Sequence, residues 1–387
     1  MSEWTDILFW VTVFHFSCVL VWELLGHYAF FRIAHLRSSE MPPPKQWPSV
    51  AIIFAAKDEE REIETAVRSM LQVEYPNLQY TAVNDRSTDR TGEILNKLAI
   101  EDPRLKVVHV EALPDGWLGK NNALQHAAAA TGTDYLLFTD ADVSFDVDCV
   151  KRAVGYVEHY QVDHLAMFPK VPMPSLILNA FVIFFFKTFV VYYRAWRVAN
   201  RKSSAFLGIG AFNLVRNSVF QEVGGFERIR MEVVDDLLLG KLIKTSGFHQ
   251  HVLVAREDLS VPWYGSVREM VVGLDKNTFA GVNYNPFILM AMIGSVTYAF
   301  LWPFVGVFLF AGRLQFMLGA ICGLLVLSSA WMAIRMRLNP LAALLIPAII
   351  GLFNFTIARA GIIFYVRGGI KWRDTLYTKE QLKNGRL

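Results

Sequence analysis

The chain alternates between two textures of hydrophobic and polar positions. Ile7 to about Phe31 is almost continuously apolar (ILFWVTVFHFSCVLVW), long enough to cross a bilayer once Glu23 and His27 stand near an interface. It lacks a positive n-region and a small-residue cleavage site, so it reads as an anchor (residues 1–35) and not a removable signal. His15 within it reads as a helix-packing residue. Arg32–Lys45 is basic and then proline-rich, a linker. From Pro48 the texture changes. Ser49–Ala56, Leu78–Asn84, Leu105–Val110 and Tyr135–Asp140 read as strands, and Glu59–Gln72, Thr91–Ala99 and Asn121–Ala130 as helices between them. That rhythm predicts an α/β domain with a parallel sheet covered on both faces. Such sheets bind ligands beyond the carboxyl ends of their strands.

Leu176–Val191 is apolar but short, is interrupted by Lys187, and ends in YYRAWR. Residues 172–200 therefore read as a helix lying in the membrane interface. The soluble texture then resumes to about Asn285. Phe287–Ala311, Leu314–Ile334 and Leu341–Val366 are each long enough to span, giving three transmembrane segments over 287–366. The acidic N-terminus (Glu3, Asp6) and the basic residues after the first span put the α/β domain on the cytoplasmic side of the cell (inner) membrane. Arg335 and Arg337 agree. Parity then places the basic tail, 367–387, outside, against its excess of Lys and Arg. Either the tail is an exception or one late segment is re-entrant.

Composition fits this mixture. Of 387 residues, 53% are hydrophobic and 13% aromatic, which is too apolar for a soluble enzyme, while 19% charged is too many for a purely membrane-embedded bundle. A net charge of +3 without a basic, aromatic-interleaved stripe gives no reason to expect nucleic acid as a partner. Cys18, Cys149 and Cys322 are far apart, with neither a disulfide framework nor metal-ligand spacing.

The candidate chemistry is acidic and gathers at strand ends: Asp58 and Glu59, then Asp85, then Asp140 and Asp142. In DYLLFTDADV (134–143), strand alternation puts Asp140 and Asp142 on one face, where two carboxylates repel each other unless a cation sits between them. Lys120 follows two glycines in GWLGKNNAL. Asp235 and Asp236 open an amphipathic helical run. His249 and His251 share a strand face and read as surface histidines before a metal pair.

Taken in order, AAKDEE, VNDRSTDRTG, GWLGKNNAL, TDADV, FLGIGAFNLVR, VGGF and EVVDDLLLG resemble a family 2 glycosyltransferase of GT-A type over residues 48–285. The flanking spans resemble the membrane-anchored members, such as ceramide glucosyltransferase and bacterial enzymes associated with hopanoid and carotenoid glycosylation. The resemblance implies a Rossmann-like nucleotide-sugar domain and a UDP-sugar donor. It implies Mg²⁺ or Mn²⁺ held by Asp142, with Asp140 on the metal or the ribose. Glu59 and Asp85 would approach the nucleotide and Lys120 the diphosphate. Asp236, beside Asp235, would be the general base of an inverting transfer of a single hexose to a lipid hydroxyl.

Asn84, Asp58 and Asp235 depart from the family's usual Asp, Asn and Glu. Asp58, Arg86 and Asp89 read as cap or turn residues. A Q-x-x-R-W motif is replaced by PWYGSVREMVVGLDKNTFAG (262–281), in which Trp263 and Tyr264 could stack on a sugar or acceptor and Lys276 could assist the diphosphate. A processive polysaccharide synthase is the alternative. It needs a polar channel, for which the late segments offer Asn354 and Arg359. WRDTLY (372–377) resembles a W-R-x-x-x-Y ending with no derivable role. The donor sugar, the lipid and the oligomeric state are not legible in the sequence.

Overall fold

A computed structural model describes residues 2–38, 41–372 and 375–384. The chain forms two compact units: 33–172 with 193–263 and 380–387, and 1–32 with 173–192 and 264–379.

The first is an α/β unit. Strands β1 (Val50–Ala56), β2 (Leu78–Asp85), β3 (Leu105–Val110) and β4 (Tyr135–Phe138) are followed by a two-residue strand β5 (Ser144–Phe145). Then come β6 (His164–Phe168), β7 (Asn213–Arg216), β8 (Gln250–Val254) and β9 (Leu259–Ser260). Seven of them make one sheet in the order β3-β2-β1-β4-β7-β6-β8, and β5 pairs with β9. β1 to β4 are mutually parallel, whereas β7 runs antiparallel between β4 and β6. Alternation along β1 sends Ile52 and Phe54 into one apolar core and Ala51 and Ile53 into the other. Helices α2 (Ile63–Leu71), α3 (Thr91–Glu101) and α5 (Cys149–Tyr160) line the first core. Helices α4 (Gly119–Ala129), α7 (Asn217–Glu222) and α8 (Asp235–Thr245) line the second. Burial on both faces is why these strands read as unbroken apolar runs.

The second unit is helical: α1 (Ser2–Arg32), α6 (Leu176–Tyr192), α9 (Val267–Gly281), α10 (Pro286–Val296), α11 (Trp302–Leu309), α12 (Arg313–Arg335) and α13 (Ile346–Arg367). A hairpin of β10 (Gly369–Trp372) and β11 (Thr375–Thr378) follows. The last helix, α14 (Lys379–Asn384), starts at the end of this unit and continues into the α/β unit. Among the described residues, five segments are long and apolar enough to cross a membrane: Glu3–Arg32, Leu176–Arg197, Pro286–Leu309, Arg313–Arg335 and Pro340–Arg367. Leu176–Arg197, expected as an interface helix, thus meets the length and apolarity of a span.

Several polar side chains in this unit pair with one another, which offsets the cost of burial in an apolar medium. Lys187 Nζ lies 2.5 Å from Glu23 Oε2 and 3.2 Å from Ser329 Oγ, with both charged residues buried. Ser328 also donates to Glu23, and His27 Nε2 meets Ser328 Oγ at 2.8 Å. The sequence pattern placed Glu23 and His27 at an interface; they form a polar knot with Lys187. A π-helical turn, Thr297–Leu301, joins α10 to α11. His15 Nε2 donates to the Ala299 carbonyl at 3.0 Å and stacks on Tyr298, the packing role expected of it.

Candidate active site

β4 ends at Phe138, so Asp140 and Asp142 stand in the turn beyond the strand and not on its pleat. Their convergence comes from that turn, a correction to the alternation argument. Asp140 N–H donates to Gly210 O at 3.0 Å, fixing the turn to the segment that precedes β7. Lys120, in the first turn of α4, reaches across. Its Nζ lies 2.9 Å from Asp140 Oδ1 and 3.1 Å from Asp235 Oδ2. Asp235 and Asp236 form the first turn of α8, where carboxylates are favoured by the helix dipole. Gly210 N–H donates to Asp236 Oδ2 at 2.7 Å and orients that carboxylate.

The electrostatics follow from crowding acids in a shielded place. Burial first, and then Asp140 and Glu59, push the Asp142 carboxyl up to about 7. Burial first, and then Asp235, push Asp236 up to about 6. Burial pulls the Lys120 ammonium down, but Asp140, Asp235 and Asp236 outweigh it and hold its pKa well above the ordinary value. Glu59, Lys120, Asp140, Asp142, Asp235 and Asp236 therefore act on one another as one constellation.

Asp142 Oδ1 is buried without a hydrogen-bond partner. An orphaned carboxylate oxygen of this kind suits a hard divalent cation. Among the described residues no three His, Cys, Asp or Glu side chains converge as a complete ligand set. Asp142 and Asp140 are the residues here that could hold such an ion.

Asp85 ends β2, and Arg86, at φ 56°, folds back on it with bonds of 2.8 and 3.0 Å. A side chain on Gly119 would collide with Asp85 and Arg86, so this glycine lets the start of α4 approach the acid. Asn84 spends its amide on His109 Nδ1, at 3.0 Å, and on Ser87 N–H. Glu59 N–H donates to Thr91 Oγ1, and Asp58 accepts from Thr88 N–H. Asp89 accepts from Glu60 and Thr91 N–H. Asp58 and Asp89 are thus the turn residues expected, tying the loop after β1 to the loop after β2, and Arg86 is both a turn residue and an ion-pair partner.

Further expected residues are described each within its own unit. Trp263 is half-buried at the end of the α/β unit. Tyr264 and Lys276 belong to the helical unit, where Tyr264 is buried against Gly273 and Lys276 Nζ lies 4.1 Å from the Trp372 ring centroid. Of WRDTLY, Arg373 and Asp374 lie outside the described residues. His251 Nε2 meets His249 Nε2 at 3.0 Å, and Tyr156 Oη meets His251 Nδ1 at 2.8 Å, a local chain on β8.

Sequence reasoning gave no role to the residues that shape the 205–210 segment. A side chain on Gly208 would strike the Asp236 carbonyl, and one on Gly210 would strike Asp140. Behind them lies a buried network. Gln250 accepts from Leu207 N–H and bonds His164 Nδ1, while Asn213 accepts from Ile209 N–H and bonds His164 Nε2. Burial pulls His164 down to about 4, which keeps it neutral. The run FLGIGAFN was the only sequence signal for this segment.

Residues 51–224 match the family model "Glycosyl transferase family 2". This segment is a family 2 glycosyltransferase domain. Among similar proteins, β-monoglucosyldiacylglycerol synthase of Synechocystis sp. is 33% identical over 170 residues, covering 40% of this chain and 34% of that one. The 4,4'-diaponeurosporenoate glycosyltransferase of Staphylococcus haemolyticus is 22% identical over 261 residues, covering 64% and 67%. The first match thus spans about a third of that relative's length. The mannosyltransferase PcManGT from Pyrobaculum calidifontis, solved with GDP-Man and Mn²⁺, superposes with a TM-score of 0.54 at 17% identity, covering 93% of this chain and 99% of that one. That likeness places the fold with the GT-A glycosyltransferases.

Proposed function

We propose that the chain transfers a single hexose from a nucleoside-diphosphate sugar, a UDP-sugar, to the hydroxyl of a membrane lipid, with inversion at the anomeric carbon. The observation that carries this reading is the constellation of Asp142, Asp140, Lys120 and Asp236 in a domain of this family. Breaking the anomeric bond of such a donor builds negative charge on the diphosphate. Asp142 and Asp140 are the residues that would hold Mg²⁺ or Mn²⁺, which supplies Lewis-acid neutralisation of that charge when bound. Lys120, on the first turn of α4, adds a fixed ammonium where the helix N–H groups also favour an anion. Glu59 and Asp85 flank the nucleotide end, and Asp85 reaches the nucleotide by sharing or releasing Arg86.

Asp236 is the base. An alcohol proton is held too tightly to be removed beforehand, so its transfer to the carboxylate accompanies attack. A carboxyl raised to about 6 is a stronger base than an ordinary aspartate and is still mostly ionised at neutral pH. One base without a covalent nucleophile gives single displacement. The lipid acceptor is supported by the apolar helices and by two relatives, one named for a glycolipid product and one for an apolar molecule that it glycosylates. A polymer channel is disfavoured: Arg359 pairs with Asp275, and Asn354 Nδ2 donates to Thr297 Oγ1 at 2.9 Å, so both candidates are engaged in helix packing.

The test is incubation of the purified protein in detergent with labelled UDP-hexoses, Mn²⁺ or Mg²⁺ and a bacterial lipid extract. Label in one discrete lipid band, abolished by EDTA and in Asp142→Ala, supports the reading. Label confined to polymer overturns it.

A further inference from the structure

Connectivity between the two units fixes which apolar segments traverse the bilayer. The chain leaves the α/β unit at Pro172 and rejoins it at Tyr193, with only α6 between. A sheet-based unit cannot straddle hydrocarbon, because its loops and sheet edges would lose their hydrogen bonds there. One helix joining two points of that unit therefore makes no net crossing. The same parity governs the last third of the chain. It leaves the α/β unit at Trp263 and rejoins it at Glu380, within α14, whose Leu382 is buried. Three apolar segments lie between, and an even number must cross.

Packing identifies the exception. Asp6, near the start of α1, pairs with Arg313 at the start of α12, whereas His27 and Phe30, near the end of α1, meet Ser328 and Trp331 near the end of α12. α12 thus runs parallel to α1 along its whole length, and α10–α11 leads to its far end. The C-terminal half of α13 instead lies along α9, through Arg359 with Asp275 and Phe364 with Phe279. α9 starts four residues after Trp263 and carries Arg268, Glu269, Asp275 and Lys276, so it belongs at the water side. The segment's other end, Pro340–Leu345, follows Arg335 and Arg337 and packs on α6.

We propose that α6 and Pro340–Arg367 enter the leaflet on the side of the α/β unit and return to that side. The chain then crosses three times, through α1, α10–α11 and α12, and the partner of the two non-crossing segments is a single lipid leaflet. The basic tail stays on the α/β side, which removes its conflict with the distribution of Lys and Arg. This inference is independent of the proposed reaction.

The experiment is single-cysteine labelling of the full chain in cells with a membrane-impermeant maleimide, before and after permeabilisation. The background carries Ser at positions 18, 149 and 322. Lys106→Cys marks the α/β unit, Lys170→Cys and Lys202→Cys flank α6, Ala311→Cys marks the α11–α12 turn, and Glu380→Cys marks the tail. The expected result is that positions 106, 170, 202 and 380 label together on one side and position 311 on the other. Labelling of 380 with 311, or of 170 and 202 on opposite sides, overturns it. A fluorescent protein fused after Leu387 gives a second readout where a cysteine variant fails to accumulate. Such a fusion fluoresces only in the cytoplasm, so a bright fusion with position 106 cytoplasmic, or a dark but stable one with position 106 outside, is the expected agreement, and either mismatch overturns the proposal.

Discussion

Lys120 Nζ bridges Asp140 Oδ1, at 2.9 Å, and Asp235 Oδ2, at 3.1 Å, so one ammonium joins the acid beyond β4 to the acid that starts α8. Three carboxylates act on this cation, and removing it leaves them facing one another. Lys120→Met is expected to lower kcat by about 10²-fold, the usual cost of deleting a preorganised charge-stabilising donor. Lys120→Arg should rescue little, because a planar guanidinium does not replace a compact ammonium. Steady-state kinetics with both variants checks this.

The raised pKa of Asp236 sets a pH dependence. As the proposed base, Asp236 must be ionised, so kcat/KM should fall on the acid side with a midpoint at about 6. Asp236→Asn should cost about 10² to 10⁴-fold in kcat and erase that limb. Donor binding, followed by calorimetry, should persist in this variant.

Stability carries the opposite sign. Asp142 and Asp236 hold their protons to about 7 and about 6 in the folded chain, against an ordinary value of 3.8. The native state therefore binds more protons than the unfolded chain in that window, and these groups' contribution to stability declines as pH rises from about 4 to 7. In EDTA, Tm should fall across that range. Asp142→Asn should flatten the fall, as scanning fluorimetry in detergent would show.

Buried Glu23 and Lys187 make a further case. Glu23→Leu or Lys187→Met alone strands a buried charge, a change that costs about 3–5 kcal/mol. The double variant removes both charges and should recover most of the loss. Thermal unfolding monitored by size-exclusion chromatography would separate these outcomes. Equal loss in single and double variants would show that the pair is not coupled.

Gly208 and Gly210 give a local test of how the site is built. Gly208→Ala places a methyl against the Asp236 carbonyl, and Gly210→Ala places one against Asp140. Both should lose activity by displacing the acids, with Tm changing less than the rate.

Much of this was legible beforehand, for identifiable reasons. Buried parallel strands announce themselves as apolar runs, so β1 to β4 and the acids beyond them could be placed from Val50 to Asp142. Asp58 and Asp89 were readable as turn residues because Asp bonds the backbone close by in sequence. What escaped depends on pairing at long range. Nothing local to Asn213–Arg216 shows that β7 runs antiparallel between β4 and β6. Nothing near Glu23 points to Lys187, 164 positions away. Gly208 and Gly210 matter through the atoms opposite them, which a one-dimensional pattern does not contain. The stacking of Lys276 on Trp372 within the helical unit is a pairing of the same long-range kind.

The most direct measurement is mass spectrometry of the lipids formed when the wild-type protein and Asp236→Asn are incubated with a UDP-hexose, Mn²⁺ and a membrane lipid extract. The account predicts a lipid heavier by one hexose with the wild type and none with Asp236→Asn. A ladder of hexose additions, or undiminished product from Asp236→Asn, would contradict it.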